Sequence, residues 1–565
     1  MMRKNKAVMI GAGIANMAAA VYLIQEGHWS GENITFYALD QHGSNDGDTT
    51  DSVIDDYWNK NHPLSNTKGY IARGGRMLNY RTYVDLMDLL DRIPSMTEPN
   101  MTAAEDTRDF DAKHPTFDKA RLLQPGQGIL NASKLGFNPA DRKLLTQLIL
   151  MPDDEETKLD NVTIADYFAD DPHFFETNFW FMWETTFAFR TRSSAQELRR
   201  YMHQMIYEFT QIEHLVGVNR TRYNQYESIM LPLINYLKAN GCQIILNRRV
   251  TAFEFKDTTM TDEITVTGLQ MVNTTTNQKE HVAIDDDTAV IFTNGSITDS
   301  ATLGDYDTPA PENMDYGAAS SLWRQATEHF YNLGNPDKFF ADRDASEWVS
   351  FTLTTKDHLL LNEITRITTQ LPGNALNSFL STTPITPLDQ IDVDMSIVVH
   401  HQPHFTSQKP NETVLWGYFL YPRRNSPLFG KPYIELTGKE MLLELIAHLS
   451  AVDPGPVNIK EKEDDILASV INNIPVYMPY ASALFNNRAK IDRPEVIPEH
   501  ATNLAFTGEF VEQPYQMIFT EQSAVRSGEI AAYHFAGIPM SHLVDTPRYD
   551  RDIKTLLRAT KKLFA

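Results

Sequence analysis

The stretch AVMIGAGIAN at residues 7–16 decides the fold class of this chain. A short apolar run ends in a glycine turn, residues 17–26 suit a helix, and a second extended run follows at 33–37. Glycines in such a turn let backbone N–H groups approach a pyrophosphate at the helix N-terminus. The order strand, turn, helix, strand therefore predicts an α/β, Rossmann-like nucleotide-binding domain. The alternative is a strand-turn-helix unit with a purely structural role.

Two positions in this unit depart from the usual dinucleotide-binding pattern. Asn16 stands where a third glycine is usual, and residues 37–40 read YALD where the second strand often ends in an acidic residue. FAD is predicted rather than NAD, because the nucleotide-binding segments are split and a late Gly508-Glu509 pair lies between a strand and a helical pattern. The first-turn residues predicted to hold FAD are Gly11, Gly13, Ala15 and Asn16.

Further strands predicted at 243–246, 288–292 and 503–506 lie far apart in the sequence. The nucleotide-binding domain is therefore expected to be discontinuous, with mostly helical and α+β substrate domains inserted between its segments. We assign an FAD-binding domain to residues 1–100, 220–310 and 470–535, substrate-binding insertions to 101–219 and 311–469, and a C-terminal helical tail to 536–565.

The composition limits the class of protein. At 565 residues the chain is too long for one hydrophobic core, so two or three domains are expected around one cofactor cleft. No apolar run reaches the roughly 18 residues that cross a bilayer, and the run before Gly11 is too short for a signal peptide, which predicts a cytoplasmic protein. The single cysteine, Cys242, excludes intramolecular disulfides. A net charge of −24 argues against nucleic acid as a partner.

The last twenty residues differ from the rest of this acidic chain. Residues 546–565 carry six Lys or Arg and two Asp, and five apolar residues alternate with them at near-helical spacing. This pattern predicts a basic amphipathic helix, which could cover either the inner face of the cell membrane or a sister subunit in a homodimer. In contrast, the polar, acidic segments 98–111 and 153–160 are expected to be surface loops.

A second glycine cluster, RGGRMLNY at residues 73–80, precedes an apolar-periodic stretch at 83–93. Two glycines between two arginines let the backbone pass close to an anionic or planar group while the guanidinium groups find acceptors. A simple glycine turn with surface arginines fits this pattern equally well.

From this cluster onward the chain resembles the oleate hydratase family, also called the myosin-cross-reactive antigens. The resemblance rests on several motifs in one order: FWFMW at 179–183, FAF at 187–189, RRY at 199–201, YNQYES at 223–228, TNGSIT at 293–298, DTPAP at 307–311, IPVYMPY at 474–480 and FTE at 519–521. It implies an FAD-dependent enzyme that adds water to a cis double bond of a long-chain unsaturated free fatty acid, without net redox change.

The resemblance also implies the roles of individual residues. Tyr201 matches the tyrosine that protonates the alkene, and the help that a phenol needs as an acid is expected from Arg200 or the flavin. Gln225 matches a contact of the substrate carboxylate, as does His404, while Val398 and His400 replace a threonine and an asparagine of that site. The other residues implied to hold FAD are Arg73, Gly74, Gly75, Arg76, Thr293, Asn294, Gly295, Ser296, Gly508, Glu509, Phe519 and Thr520.

One departure concerns the attacking water. Most of the family has an acidic residue after the RGGR run, where it holds or activates water, whereas this chain has Met77, as does one branch of the family. A thioether is a poor hydrogen-bonding group. Asn79, a backbone carbonyl or the flavin is therefore expected to orient the water.

Three other interpretations stay open at this point. A redox flavoenzyme acting on fatty acids shares the nucleotide-binding fold, and a non-catalytic fatty acid binding protein would follow from the loss of the acidic residue at Met77. The close spacing of His400, His401 and His404 also suits a metal site, although no acidic or cysteine cluster accompanies them.

Overall fold

The strand and helix predicted around the first glycine turn are both present in the computed structural model, which describes residues 4–39, 52–53, 69–74, 77–257, 263–369, 376–385 and 390–564. Strand Lys6–Ile10 leads into the turn, and helix Ile14–Gln25 begins directly after Gly13. Gly11 has a φ of +93°, a conformation that favours glycine, so the tight turn depends on this residue.

In chain order the strands are β1 Lys6–Ile10, β2 Ile34–Tyr37, β3 Ser52–Val53, β4 Tyr70–Ile71, β5 Leu122–Gln124, β6 Gly128–Ile129, β7 Gln243–Ile245, β8 Arg248–Phe255, β9 Val266–Asn273, β10 Lys279–Ala283, β11 Thr288–Thr293, β12 Thr302–Leu303, β13 Trp348–Thr355, β14 Leu376–Ile385, β15 Gln390–His400, β16 Thr413–Phe419, β17 Val470–Met478 and β18 Leu504–Thr507.

The helices are α1 Ile14–Gln25, α2 Val84–Asp91, α3 Ala103–Lys113, α4 Pro139–Leu150, α5 Ile164–Tyr167, α6 Asn178–Phe187, α7 Ala195–Met205, α8 Leu231–Ala239, α9 Ala318–Thr327, α10 Asp337–Phe340, α11 Leu359–Thr368, α12 Gly438–Ser450, α13 Glu463–Ser469, α14 Glu521–Ala536 and α15 Ile553–Leu563.

A parallel five-stranded sheet forms the nucleotide-binding part, in the order β18, β11, β1, β2, β7. Its strands come from four distant regions of the chain, which confirms the predicted Rossmann-like fold. Helix α14 packs along α1 so closely that a Cβ at Gly528 would lie 2.1 Å from the backbone oxygen of Ala15. Glycine is therefore needed where the two helices cross.

An eight-stranded sheet forms the second layer, in the order β12, β17, β13, β16, β15, β14, β5, β6. Alternation of side chains along its strands divides them between two environments. In β16, Leu415 and Phe419 pack into a core with helices α11 and α12, whereas Trp416 and Tyr418 line a cavity on the opposite face. The sheet therefore acts as one wall of that cavity.

The strand β17 belongs to this second sheet, where it pairs with β12 and β13. The sequence-based division placed it at the start of the last FAD-binding segment, 470–535. A three-stranded antiparallel sheet of β8, β9 and β10 lies between β7 and β11 in the chain.

The prediction of a surface loop at 98–111 is wrong, because helix α3 occupies most of that segment. Its N-terminus is closed by a capping box, in which the N–H of Glu105 donates to the Thr102 hydroxyl at 3.2 Å and the N–H of Thr102 donates to the Glu105 carboxylate at 2.8 Å. Although the segment is rich in acidic residues, one face of the helix is buried and includes Phe110. The other expected loop also contains a helical segment, the 3₁₀-helix Asp153–Leu159.

The C-terminal segment contains the predicted basic helix, α15. Ile553, Leu557 and Phe564 are 72%, 60% and 63% exposed, while the opposite side of the helix packs on the protein. Just before it, the ring of Tyr549 lies 4.5 Å from that of Tyr207. In the described part of the chain, no helix has both the length and the apolar character needed to cross a membrane.

Candidate active site

A nucleotide pocket of about 460 Å³ lies at the carboxyl end of the parallel sheet, where such sheets bind ligands. Gly11, Thr293, Gly295 and Ser296 line it, together with Tyr37, Ala38, Leu39, Arg248 and Arg249. No described lining residue is acidic, and of the two arginines Arg248 is paired with Glu280 at 2.6 Å. The glycine turn and the start of α1 fit the pyrophosphate of a dinucleotide such as FAD.

Other predicted nucleotide residues support the turn rather than face the pocket. The amide of Asn16 is fully buried and donates to the carbonyl oxygens of Ile10 and Gly11, each at 2.9 Å, while its oxygen accepts from the Thr507 hydroxyl at 2.7 Å. Asn294 likewise donates to the backbone oxygen of Phe510 at 3.0 Å. Gly13 caps α1. These bonds fix the positions of β1, β11 and β18.

A larger cavity of about 1300 Å³ lies between the nucleotide-binding part and the eight-stranded sheet. Most of its wall is apolar or aromatic, as a long hydrocarbon substrate requires. Its lining residues are Arg73, Gly74, Met77, Leu78, Asn79, Tyr83, Arg121, Thr185, Thr186, Phe187, Ala188, Tyr201, Met205, Glu208, Ile212, Leu215, Val218, Arg220, Ile297, Trp348, Ser396, Val398, Trp416, Tyr418, Met478, Ala481, Phe519 and Glu521.

The predicted flavin-contacting residues reach this cavity from two sides. Arg73 and Gly74 line it from the second glycine cluster, whereas Gly75 and Arg76 lie outside the described residues. Phe519 lines it from the opposite side and has a φ of +64°. The next residue, Thr520, caps α14 through its hydroxyl and donates its N–H to the Glu509 carboxylate, which ties the late Gly508-Glu509 turn to this wall.

Tyr201 lines the cavity from helix α7, whose residues are all buried. Its hydroxyl donates to the backbone oxygen of Ile518 at 2.6 Å. Its ring packs between those of Phe187 and Phe189, with centroid distances of 5.2 and 5.0 Å. Burial, the Tyr83 hydroxyl and nearby carboxylates raise the pKa of Tyr201 well above its ordinary value. The phenol thus stays protonated at neutral pH and is a weaker acid than free tyrosine.

Arg200 does not supply the positive charge that was expected beside Tyr201. Its guanidinium group binds Glu156 at 2.8 Å and Glu512 at 2.6 Å. Neighbouring residues of a helix point in directions about 100° apart, so Arg200 and Tyr201 reach different surroundings. The salt bridges of Arg200 instead connect α7 to the segment that precedes α14.

Met77 and Asn79 lie in the same cavity as Tyr201, as the sequence predicted. The Asn79 amide donates to Glu208 at 3.1 Å and to the backbone oxygen of Gly217 at 3.2 Å. Its oxygen accepts from the N–H of Arg81 at 3.0 Å and from the Tyr207 hydroxyl. Glu208 itself lines the cavity, and burial raises the pKa of its carboxyl group above the ordinary value.

The residues predicted to hold the substrate carboxylate form a buried group beside the cavity. Val398 lines the cavity, whereas Gln225, His400 and His404 are buried outside its lining. The rings of His400 and His404 stack at 3.9 Å. Burial, with contributions from His404 and Arg220, holds the pKa of His400 well below its usual value, so this imidazole is neutral at pH 7.

The charge of His400 is therefore not available to a carboxylate, whereas two guanidinium groups do lie in the cavity wall. Arg121 and Arg220 are 1% and 6% exposed, and both line the cavity. The side-chain oxygen of Gln225 and Nε2 of His400 are buried without a hydrogen-bond partner, which makes them available to a ligand group.

The three histidines do not converge on one point. His401 packs against His114, with ring centroids 4.2 Å apart, on the other side of β15 from the stacked pair of His400 and His404. This geometry does not support the alternative of a metal site at the three residues.

Three residues of the site were missed by the sequence analysis: Glu208, Arg121 and Arg220. Glu208 had a detectable signal, because Tyr201, Met205, Glu208 and Ile212 follow helical spacing and all line the cavity. The two arginines carry no comparable local signal, since Arg121 and Arg220 reach the cavity from separate segments of irregular or short extended structure.

Comparison with known proteins identifies the family of this chain. A sequence model of the MCRA family matches residues 4–533. The chain is 76% identical over 563 residues to linoleate hydratase of Lactiplantibacillus plantarum, covering 100% of this chain and 99% of that protein. It is 31% identical over 568 residues to oleate hydratase of Streptococcus pyogenes serotype M49 (strain NZ131), covering 98% and 89%.

Solved structures that resemble this chain share its fold at low sequence identity. Cyclohexylamine oxidase from Brevibacterium oxydans IH-35A gives a TM-score of 0.50 at 12% identity, covering 94% of this chain and 99% of that one. An oxidoreductase from Methanosarcina mazei gives 0.51 at 11% identity, covering 94% and 100%. These similarities concern the fold alone.

Proposed function

This chain belongs to the MCRA family and is a fatty acid hydratase, and we propose that it adds water to a cis double bond of a long-chain unsaturated free fatty acid, as in the conversion of oleate to 10-hydroxystearate. The observation that carries the proposal is the mostly apolar cavity. Its lining contains Tyr201, Glu208 and the two buried arginines, Arg121 and Arg220. Hydration needs a proton donor, a held water and an anchor for the carboxylate, and this cavity offers a candidate for each.

FAD is the cofactor, in agreement with the family and with the fit of the nucleotide pocket. Gly11, Thr293, Gly295 and Ser296 would hold its nucleotide end, and Arg73, Gly74 and Phe519 its ring end in the large cavity. When bound, FAD would supply a planar wall and a fixed charge distribution to the site, and since hydration changes no oxidation state, no net electron transfer is required.

Tyr201 is proposed to donate the proton to the alkene. Its hydroxyl now donates to the backbone oxygen of Ile518, so the proton becomes available to a substrate only when the hydroxyl turns from that oxygen. The surrounding rings of Phe187 and Phe189 can stabilise positive charge that develops on the carbon skeleton.

The carboxylate end is proposed to bind near Arg220 and Arg121, with Gln225 and His400 completing the contacts. A guanidinium group pairs with a carboxylate through two parallel hydrogen bonds, which fixes both position and orientation. The distance between this anchor and Tyr201 then decides which double bond meets the proton donor, and thus the regiochemistry.

We also propose that helix α15 contacts the cytoplasmic face of the membrane, where free fatty acids partition. Exposed Ile553, Leu557 and Phe564 alternate with basic residues, a composition suited to an anionic lipid surface. Replacing Ile553 and Leu557 by glutamate is expected to abolish sedimentation with anionic vesicles while preserving turnover of detergent-dispersed substrate. If that double variant sediments normally but no longer dimerises, α15 is instead the homodimer contact.

The test of the proposed activity is incubation with linoleate or oleate and FAD in water enriched in heavy oxygen, followed by mass spectrometry of the lipid. A product that has gained one labelled water establishes hydration. An oxidised or desaturated lipid without label would identify a redox flavoenzyme, and a bound but unchanged lipid a fatty acid carrier.

A further inference from the structure

Glu208 is an acidic residue of the cavity lining for which the sequence predicted no role. It begins the 3₁₀-helix Glu208–Gln211, two turns beyond Tyr201, and lines the cavity together with Met77 and Asn79. A Cβ at Gly217 would lie 1.6 Å from Oε1 of Glu208, so the carboxylate rests directly on the backbone there. A side chain at position 217 would displace it.

Asn79 holds this carboxylate and has no capacity left for water. A side-chain amide offers two donor hydrogens and one acceptor oxygen with two lone pairs. Glu208 and Gly217 take the two hydrogens, and Arg81 and the Tyr207 hydroxyl donate to the oxygen. Asn79 is thus a positioning residue, which corrects the expectation that it orients the water itself.

We infer that Glu208, oriented by Asn79, is the group that holds and deprotonates the attacking water in this chain, in the role that the missing acidic residue at Met77 leaves open. This inference rests on the proposed hydratase function. Among the described residues, the Asn79 amide donates to Oε1 of Glu208, and the charge of Arg81 acts on the carboxyl group more weakly than burial does. Oε2 can therefore accept a hydrogen bond from water in the cavity.

The proton balance of the step is closed. As the Tyr201 hydroxyl gives its proton to one alkene carbon, the π bond breaks and a C–H bond forms. The water oxygen forms a C–O bond with the other carbon and releases a proton to the Glu208 carboxylate. Transfer of that proton back to the Tyr201 phenolate restores both residues, and the sum is alkene plus water giving alcohol.

The surroundings favour a carboxylate that acts as a base. Burial raises the pKa of Glu208, against smaller opposing effects of the Asn79 hydrogen bond and the charge of Arg81. The other titratable groups near it are Tyr207, which precedes it in the chain, and Tyr549 of the C-terminal segment. A carboxylate with a raised pKa is a stronger proton acceptor than one in water, as general base catalysis requires.

The test is Glu208→Gln in the full-length protein loaded with FAD. We expect kcat for hydration of linoleate to fall by about 100-fold or more, with KM changed less than about twofold, because general base catalysis contributes about 10²–10⁴-fold and the carboxylate anchor is untouched. The decline of kcat on acidification, which reports protonation of Glu208, should disappear. The exposed Glu176→Gln is the matched control and should behave as the wild type.

A rescue experiment separates catalysis from a structural effect. Met77 lines the same cavity, so the double variant Met77→Glu/Glu208→Gln returns an acid to it and should recover at least about tenfold of the lost kcat. Glu208→Gln with near-normal kcat and an unchanged pH profile would overturn the inference. So would loss of FAD or linoleate binding in that variant without recovery in the double variant. Absence of labelled product from the wild type would instead refute the proposed function.

Discussion

Replacement of Tyr201 by phenylalanine removes one oxygen atom and tests the proton donor directly. The ring keeps its contacts with Phe187 and Phe189, whereas the backbone oxygen of Ile518 loses a buried hydrogen bond of 2.6 Å. An unsatisfied buried acceptor costs about 1–3 kcal/mol, so the free energy of unfolding should fall by that amount. Hydration should fall by at least about 100-fold, the lower end of the contribution of general acid catalysis.

The assay measures three quantities on the same preparation: labelled hydroxy fatty acid, linoleate affinity by titration calorimetry, and unfolding by urea. Tyr22→Phe is the control, since the hydroxyl of Tyr22 in α1 donates to Asp88 in α2 at 2.9 Å and lies outside the cavity lining. It should lose stability but keep activity. Hydration by Tyr201→Phe within about threefold of the wild type would refute the assignment of Tyr201 as proton donor.

Two further changes give separate readouts. Arg220→Met should raise KM for linoleate by about 10- to 150-fold with a smaller effect on kcat, because a hydrogen bond to a charged group contributes about 1.5–3 kcal/mol. The control is Arg222→Met, whose side chain lies outside the cavity lining. Equal KM values in the two variants would contradict the role of Arg220 as carboxylate anchor. Burial and the neighbouring Asp85 raise the pKa of Glu529 to about 8. Because this pKa is higher in the folded than in the unfolded chain, protonation of Glu529 favours folding at low pH, and this contribution to the free energy of unfolding is lost as the pH rises from about 4 through 8. Glu529→Gln should therefore gain stability relative to the wild type over that interval in urea unfolding, and a constant difference would contradict the raised pKa.

Sequence reasoning succeeded where the signal is local. The glycine turn before α1 depends on residues that are adjacent in the chain, and the later apolar runs mark strands of the same parallel sheet. The order of the eight-stranded sheet had no such signal, because its register is set by pairing between segments such as β13 and β17, more than 100 residues apart. For the same reason β17 was assigned to the nucleotide-binding segments.

The candidate site shows the same division. Tyr201, Met77, Asn79 and Val398 were selected from motifs, and all four line the cavity. The direction of Arg200 was not anticipated, although helical geometry alone excludes it from the surroundings of Tyr201. The neutrality of His400 depends on burial by residues from other segments, which no stretch of sequence reveals by itself.

The discontinuous parallel sheet has a consequence for biosynthesis. The hydroxyl of Thr507 reaches the side chain of Asn16 across 491 residues of chain, and β18 completes the sheet that β1 begins. Contacts over such separations form late, because the entropy of closing the intervening loop must be overcome first. Phe519, which is proposed to hold the ring end of FAD, lies still later in the chain. We therefore expect FAD to be enclosed only after the ribosome has released nearly the whole chain, as a post-translational step.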